Sequence, residues 1–397
     1  MKGILSKIFL ADKPLKLIMF GTSEFNSTVR GKTLTTDVNK SKSMLSYCAN
    51  DNANGAFILD GKLYQVTFSV SSTGTISSAR RIPLNSPSSG SYATDWSFIS
   101  ETGTGAIRAG KIYFLHPNSP SWSGGNYERR ELLYASLGNE DHTWVSCFNG
   151  VTSGGIGYSM TYALDNNNSL YKVFYNSSTK IADNVTAYFE NYYATSSGLY
   201  YYNGTSSTQI SSSTDWIFMK NCDLESKIFA ISNGNLYLLT TSQAVLLDSS
   251  GWTEVAGGNI QYSSGSWSGA CFGIKSGSVV AISLSGTESS PTISLSTIDN
   301  NGECSKLSTG IVKYNSHAYN EIKTRDFGLY LRDTKLYAIT QNSSNNYVTA
   351  LVNNIDGITT TNYQFEDIKG FGGYYRSKSG SDTATEDYTA YALAREI

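Results

Sequence analysis

Short apolar runs, broken every few residues by Gly, Asn, Asp and Ser, set the rhythm of this chain. One phrase recurs: an apolar strand, a tight turn, then a second strand ending Leu-Tyr or Ile-Tyr. Its copies are 56–66 (AFILDGKLYQV), 106–115 (AIRAGKIYFL), 162–173 (YALDNNNSLYKV), 193–202 (YATSSGLYYY), 229–239 (FAISNGNLYLL), 272–282 (FGIKSGSVVAI) and 329–339 (LYLRDTKLYAI). Each predicts a β-hairpin, because Asp60-Gly61, Ala109-Gly110, Asn233-Gly234 and Ser276-Gly277 put Gly where a two-residue turn needs positive φ. The anchors Tyr64, Tyr113, Tyr171, Tyr200, Tyr237, Val280 and Tyr337 are spaced irregularly, but around the length of a four-stranded blade.

A second phrase, an aromatic or apolar strand, precedes most hairpins: Trp96-Ser97-Phe98-Ile99, Trp144-Val145-Ser146, Val185-Thr186-Ala187-Tyr188, Trp216-Ile217-Phe218-Met219 and Trp252-Thr253-Glu254-Val255. Two phrases in fixed order make a blade. The expected fold class is all-β, a single β-propeller of seven or eight four-stranded blades over 18–397. A strand at 15–20 and strands at 365–368 and 388–394 would share a blade and close the ring, removing two exposed sheet edges.

Trp144-Val145-Ser146, then Tyr162-Ala163-Leu164 and Ser169-Leu170-Tyr171, set the repeat out most fully. So does the run from Trp252 to Gly258 followed by Ala270 to Ile282. In this order the chain resembles the regulator-of-chromosome-condensation type of propeller. The resemblance covers most of 44–397, rests on packing residues, and implies fold.

Composition agrees with strands and turns. Only 16% of residues are charged, against roughly 25% in ordinary globular chains, while 28 Tyr and abundant Ser, Thr and Asn fill the surface. A formal net charge of -2 offers no positive field for a phosphate backbone, and Arg80-Arg81 and Arg129-Arg130 are isolated pairs, so nucleic acid is not an expected partner. Five cysteines, Cys48, Cys147, Cys222, Cys271 and Cys304, lack metal or redox spacing and are expected to pack as small buried hydrophobes. Lys7, Asp12, Lys13 and Lys16 interrupt the apolar amino terminus, so neither a signal peptide nor membrane insertion is expected.

Motifs that carry chemistry fail on inspection. Gly105 to Ile112 has phosphate-loop spacing, but Ile112 stands where Ser or Thr would bind magnesium, and Gly110-Lys111 matches the hairpin turn at Gly61-Lys62. His116, His142 and His317 lack metal spacing and read as exposed loop residues. The acidic runs at 165–168 and 299–303 lack a full calcium loop and read as turns. The expectation is therefore no enzyme, no catalytic residues, no metal and no cofactor.

Two aromatic-bearing loops are the candidate partner contacts: Trp122 and Tyr127 in 116–127, and Tyr262 and Trp267 in 257–269. They would stack on sugar faces or anchor a protein, or else tuck back over blade edges. The low-charge, Ser/Thr/Asn/Tyr-rich composition resembles that of bacteriophage tail, fibre and head-decoration proteins. The expected function is a virion structural or interaction protein assembled in the host cytoplasm, with 1–17 as a docking arm to other virion proteins. The alternative is a carbohydrate-binding propeller, an adhesin for cell-surface glycans, and behind it an enzyme with a site in the central channel where loops of several blades converge.

Overall fold

The computed structural model describes, with side chains, residues 95–98, 105–113, 142–148, 160–174, 177–219, 227–257, 260–307, 328–339, 346–352 and 364–365, and the remaining strands as backbone. Among the described residues every regular element is a strand. Trp144–Cys147, Met160–Asp165, Leu170–Phe174 and Ser177–Ala182 form one antiparallel four-stranded meander. Ala187–Phe189, Tyr192–Thr195, Gly198–Tyr202 and Ser207–Ser211 form the next. Trp216–Phe218, Phe229–Ser232, Asn235–Leu239 and Ala244–Asp248 form a third. In the fourth, Trp252–Ala256, Cys271–Lys275, Ser278–Gly286 and Pro291–Asp299 pair in that order, with a small hairpin, Gln261–Ser263 and Ser266–Ser268, inserted after the first strand.

The pattern continues on both sides. Trp96–Ile99, Gly105–Arg108 and Lys111–Phe114 form a three-stranded sheet. Cys304–Asn315, Thr324–Arg332, Lys335–Gln341 and Tyr347–Leu351 form another meander. Successive sheets pack on one another through shared apolar clusters, which makes the molecule a β-propeller. Gly105–Arg108 and Lys111–Phe114 are hairpin strands, so the phosphate-loop-like spacing is blade structure. At the termini, Leu15–Met19 pairs antiparallel with Ala384–Glu396, Leu15 opposite Arg395, and Ala384–Glu396 pairs with Tyr363–Ser377. These strands lie in one ten-stranded sheet, in which Lys62–Val70 also pairs with Ala384–Glu396 and Tyr363–Ser377 runs parallel to Cys304–Asn315.

Every anchor read from the sequence occupies one register position. Tyr64, Tyr113, Tyr171, Tyr200, Tyr237, Val280 and Tyr337 lie opposite Phe57, Ala106, Ala163, Tyr193, Ala230, Gly273 and Tyr330 of the preceding strand. From Ala106 onward the opposing residues obey a volume rule. Where the opposing residue is Ala or Gly, the first strand carries a Trp that covers the position: Trp96 on Tyr113 at 5.0 Å, Trp144 on Tyr171 at 5.4 Å, Trp216 on Tyr237 at 5.0 Å. Trp252 lies over Gly273, where a Cβ would come within 2.5 Å of the indole. Where the opposing residue is Tyr, no Trp is present and the two tyrosines stack, Tyr193 on Tyr200 at 5.2 Å and Tyr330 on Tyr337 at 5.3 Å. Close packing explains the exchange, since one large ring fills the space once and cannot fill it twice.

A bulge recurs at the same place. Pairing of the third and fourth strands slips between Leu170/Tyr171, Leu199/Tyr200, Leu236/Tyr237 and Val279/Val280, leaving Ile181, Ile210, Leu247 and Ile298 unpaired on the fourth strand. All four are aliphatic and pack into the apolar clusters, and each extra residue adds the local twist that a blade needs. Cys147, Cys271 and Cys304 are buried, packed as the small hydrophobes that their spacing predicts; Cys48 and Cys222 lie outside the described residues.

Candidate interaction face

Antiparallel order gives each sheet two ends. Connections from second to third strand, and from one sheet to the next, share one rim; connections from first to second and from third to fourth share the other. The first rim is tight. Its turns are two residues long at Ala109-Gly110, Asn233-Gly234, Ser276-Gly277 and Asp333-Thr334, all with positive φ at both positions. At four joins a residue at or just before the start of one sheet donates its N–H to the turn of the sheet before: Trp144 to Gly110 at 2.9 Å, Val185 to Asn168 at 2.9 Å, Trp252 to Gly234 at 3.1 Å and Cys304 to Gly277 at 2.8 Å.

Ionic clasps reinforce this rim. Asp248, last residue of its fourth strand, accepts from Trp252 Nε1 at 2.9 Å and from Lys275, which ends the second strand of the next sheet. Asp299 repeats the arrangement one sheet on, accepting from Arg332 at 2.6 Å, from Tyr330 Oη at 2.5 Å and from the Asn301 side chain at 2.6 Å. The guanidinium of Arg332 lies 4.0 Å from the centre of the Tyr337 ring. Burial pulls the Asp299 carboxyl upward, but Tyr330, Asn301 and Arg332 outweigh it and hold the group below the ordinary carboxylate value. The run at 165–168 is also turn chemistry, with Asp165 Oδ1 accepting from the N–H groups of Asn167 and Ser169, both at 2.9 Å. His142 is not the exposed loop residue expected from sequence: it is half-buried, packed on Tyr171 at 4.4 Å and Trp144 at 5.0 Å. Tyr171 arrives from Leu170–Phe174, a contact that local sequence cannot show.

The opposite rim is open and varied. Its first-to-second connections run over 148–159, 219–228 and 257–270, and shrink to Glu190 and Asn191 in one sheet. On it stands the hairpin at 261–268, with Tyr262 directly opposite Trp267 and their rings 5.0 Å apart, tilted by 55°. Trp267 is half-buried against the main apolar cluster, and its Nε1 is shielded from solvent without an acceptor. Tyr262 is half-buried, among exposed Ser263, Ser264, Gly265 and Ser266. The structure thus brings Tyr262 and Trp267 together; Trp122 and Tyr127 lie outside the described residues.

The short connection holds a feature that sequence reading missed. Glu190 sits at φ +50° in a two-residue turn between buried Phe189 and Tyr192, beside buried Tyr162 and Tyr202. Burial raises its carboxyl to about 7, and burial together with Glu190, Tyr202 and Tyr201 raises the Tyr162 hydroxyl to about 12. Nothing in Phe-Glu-Asn-Tyr marks a half-buried acid, because its surroundings are completed by residues of other strands.

No protein-family model and no curated protein matches the chain. Among solved structures it is similar to the core factor of S. cerevisiae, with 11% identity and a TM-score of 0.37 over 98% of this chain and 62% of that chain. It is also similar to the Nup133 β-propeller domain of Vanderwaltozyma polyspora, with 10% identity and a TM-score of 0.30 over 91% of this chain and 96% of that one. The chain therefore spans less than two thirds of the core factor chain it matches.

Proposed function

We propose that this protein is a non-enzymatic interaction module of a large assembly, a bacteriophage virion component of the tail, fibre or head-decoration kind, which meets its partner through the open rim. The carrying observation is the inequality of the two rims. One has two-residue turns, a repeated backbone bond from sheet to sheet and two ionic clasps; the other is tied between sheets at Lys227, through its N–H to the Ile260 carbonyl and its ammonium to Glu288, and carries the long connections and the Tyr262–Trp267 hairpin. Connections of variable length on a regular scaffold are where recognition is placed on it. The low-charge, Tyr-rich composition supports the virion reading, and the part of 1–17 that precedes the strand Leu15–Met19 is the docking arm in that proposal.

The test is density-gradient fractionation of the native source with peptide mass spectrometry. Migration with virus-sized particles at fixed stoichiometry is expected; recovery only as free protein contradicts it. A second reading, glycan binding, draws on the paired rings of Tyr262 and Trp267. Because Trp267 is packed inward, Tyr262 is the ring left to stack on a sugar. In that reading Tyr262→Ala abolishes retention on a glycan array while leaving the melting curve unchanged, and unchanged retention removes the site.

A further inference from the structure

Among the fourth strands that end the sheets, Pro291–Asp299 stands apart. It runs nine residues, against six in Ser177–Ala182 and five in Ser207–Ser211, Ala244–Asp248 and Tyr347–Leu351. It pairs on one side with Ser278–Gly286 and, among the described strands, with none on the other. Ser294, Leu295, Ser296 and Thr297 are all exposed. Side chains alternate between the two faces of a strand, so four exposed residues in a row leave both faces bare as well as the edge. Leu295 is the large apolar side chain among them.

Such an edge offers a row of backbone donors and acceptors to any strand that can lie beside it, and proteins ordinarily blunt it with a short strand, a lysine, a central proline or a bulge. The middle of this strand carries none of these. From Pro291 to Ile298 no residue is charged, whereas Lys180 marks Ser177–Ala182 and Asp248 ends Ala244–Asp248. Pro291 takes the first position, and the bulge leaves Ile298 unpaired near the far end. Asp299, the one charge, is held in the clasp with Arg332 and Tyr330.

The residue order points to the occupant. Thr292-Ile293-Ser294-Leu295-Ser296-Thr297-Ile298 nearly mirrors itself about Leu295. We propose that Pro291–Asp299 is a self-association edge, which pairs antiparallel with the same strand of a second copy about a two-fold axis at Leu295. In that register Leu295 faces its own counterpart, Ser294 faces Ser296, Ile293 faces Thr297 and Thr292 faces Ile298. Leu on Leu, Ser on Ser and β-branched on β-branched are favourable cross-strand pairs, and no like charges meet. A neutral strand of another protein would satisfy the hydrogen bonds of the edge, but matching from both ends at once is a property this segment has toward itself, which is what an isologous contact requires. The contact uses the edge of both copies, so association stops at the dimer. It rests on the fold and not on the proposed function, and is read on the purified full chain.

Sedimentation velocity from about 1 to about 100 μM, a range that reaches small specific interfaces, is expected to show a monomer passing reversibly to a dimer. Leu295→Lys places two ammonium groups opposite each other on the axis, and is expected to leave a monomer with an unchanged melting curve. Cysteine variants decide the matter if that one fails to fold. Leu295→Cys, oxidised with diamide, is expected to give a disulfide-linked dimer on non-reducing gels, because directly opposed residues of an antiparallel pair lie close enough to be bridged. Leu246→Cys, on the fourth strand of the preceding sheet and more exposed, is expected to give no more than wild type. A wild type that stays monomeric throughout, a dimer that survives Leu295→Lys, or equal cross-linking of the two cysteine variants overturns the proposal.

Discussion

Thr334 sits at φ +61° in a two-residue turn whose counterparts at Gly110, Gly234 and Gly277 are glycines. A β-branched side chain in that region is strained, so Thr334→Gly is expected to stabilise the protein by about 1 kcal/mol in urea melts. Gly273 runs the other way. Its φ is ordinary, but a Cβ there would collide with the Trp252 indole and approach the Glu254 carbonyl at 3.2 Å, so Gly273→Ala is expected to cost about 1–3 kcal/mol. Asp299 supplies a pH test. Its carboxyl is held low in the folded state, so its contribution is present above the unfolded carboxyl value, about 3.9, and is lost as pH falls through the lower folded value. Asp299→Ala should cost about 3 kcal/mol at neutral pH, leaving Arg332 without its acid, and the variant should lose less further stability on acidification than wild type.

At the scale of the element, the exchange of a first-strand Trp for a second-strand Tyr is the most testable feature. Trp216→Ala should cost about 3–5 kcal/mol by opening a cavity over Tyr237. Adding Ala230→Tyr places a ring where Tyr193 and Tyr330 have theirs, and should recover at least about 1 kcal/mol in a double-mutant cycle. No recovery would mean that the rings do not substitute for one another. The hairpins and their anchors were legible in the sequence because turn chemistry and strand alternation are local, and Tyr64 to Tyr337 all fell in register. The ring exchange was not legible, because its partners lie on different strands. The clasps were hidden for the same reason: Asp248 and Lys275, like Asp299 and Arg332, sit far apart along the chain and meet only when consecutive sheets stack. At the candidate site, the aromatics of 257–269 could be read from their Gly-Ser surroundings, whereas the inward packing of Trp267 and the partial burial of Glu190 depend on neighbouring strands and sheets.

Across the whole molecule, the same bonds that stack the sheets also give the two rims different roles. Trp144, Val185, Trp252 and Cys304 repeat one backbone bond from sheet to sheet, so the tight rim is built from scaffold contacts. The open rim carries connections of every length, from two residues at Glu190 to the inserted hairpin at 261–268. Lysines mark both rims. Lys111, Lys275 and Lys335 flank the two-residue turns, while Lys227 sits in the first-to-second connection of its sheet, its backbone N–H on the Ile260 carbonyl at 2.9 Å and its partly exposed ammonium paired with Glu288. Amine-reactive cross-linking of the protein in its native assembly, read by mass spectrometry, is therefore the most direct measurement. Links to another chain from Lys227, with none from Lys111 or Lys335, are the predicted result; links to a partner from the turn lysines, with Lys227 free, would contradict it.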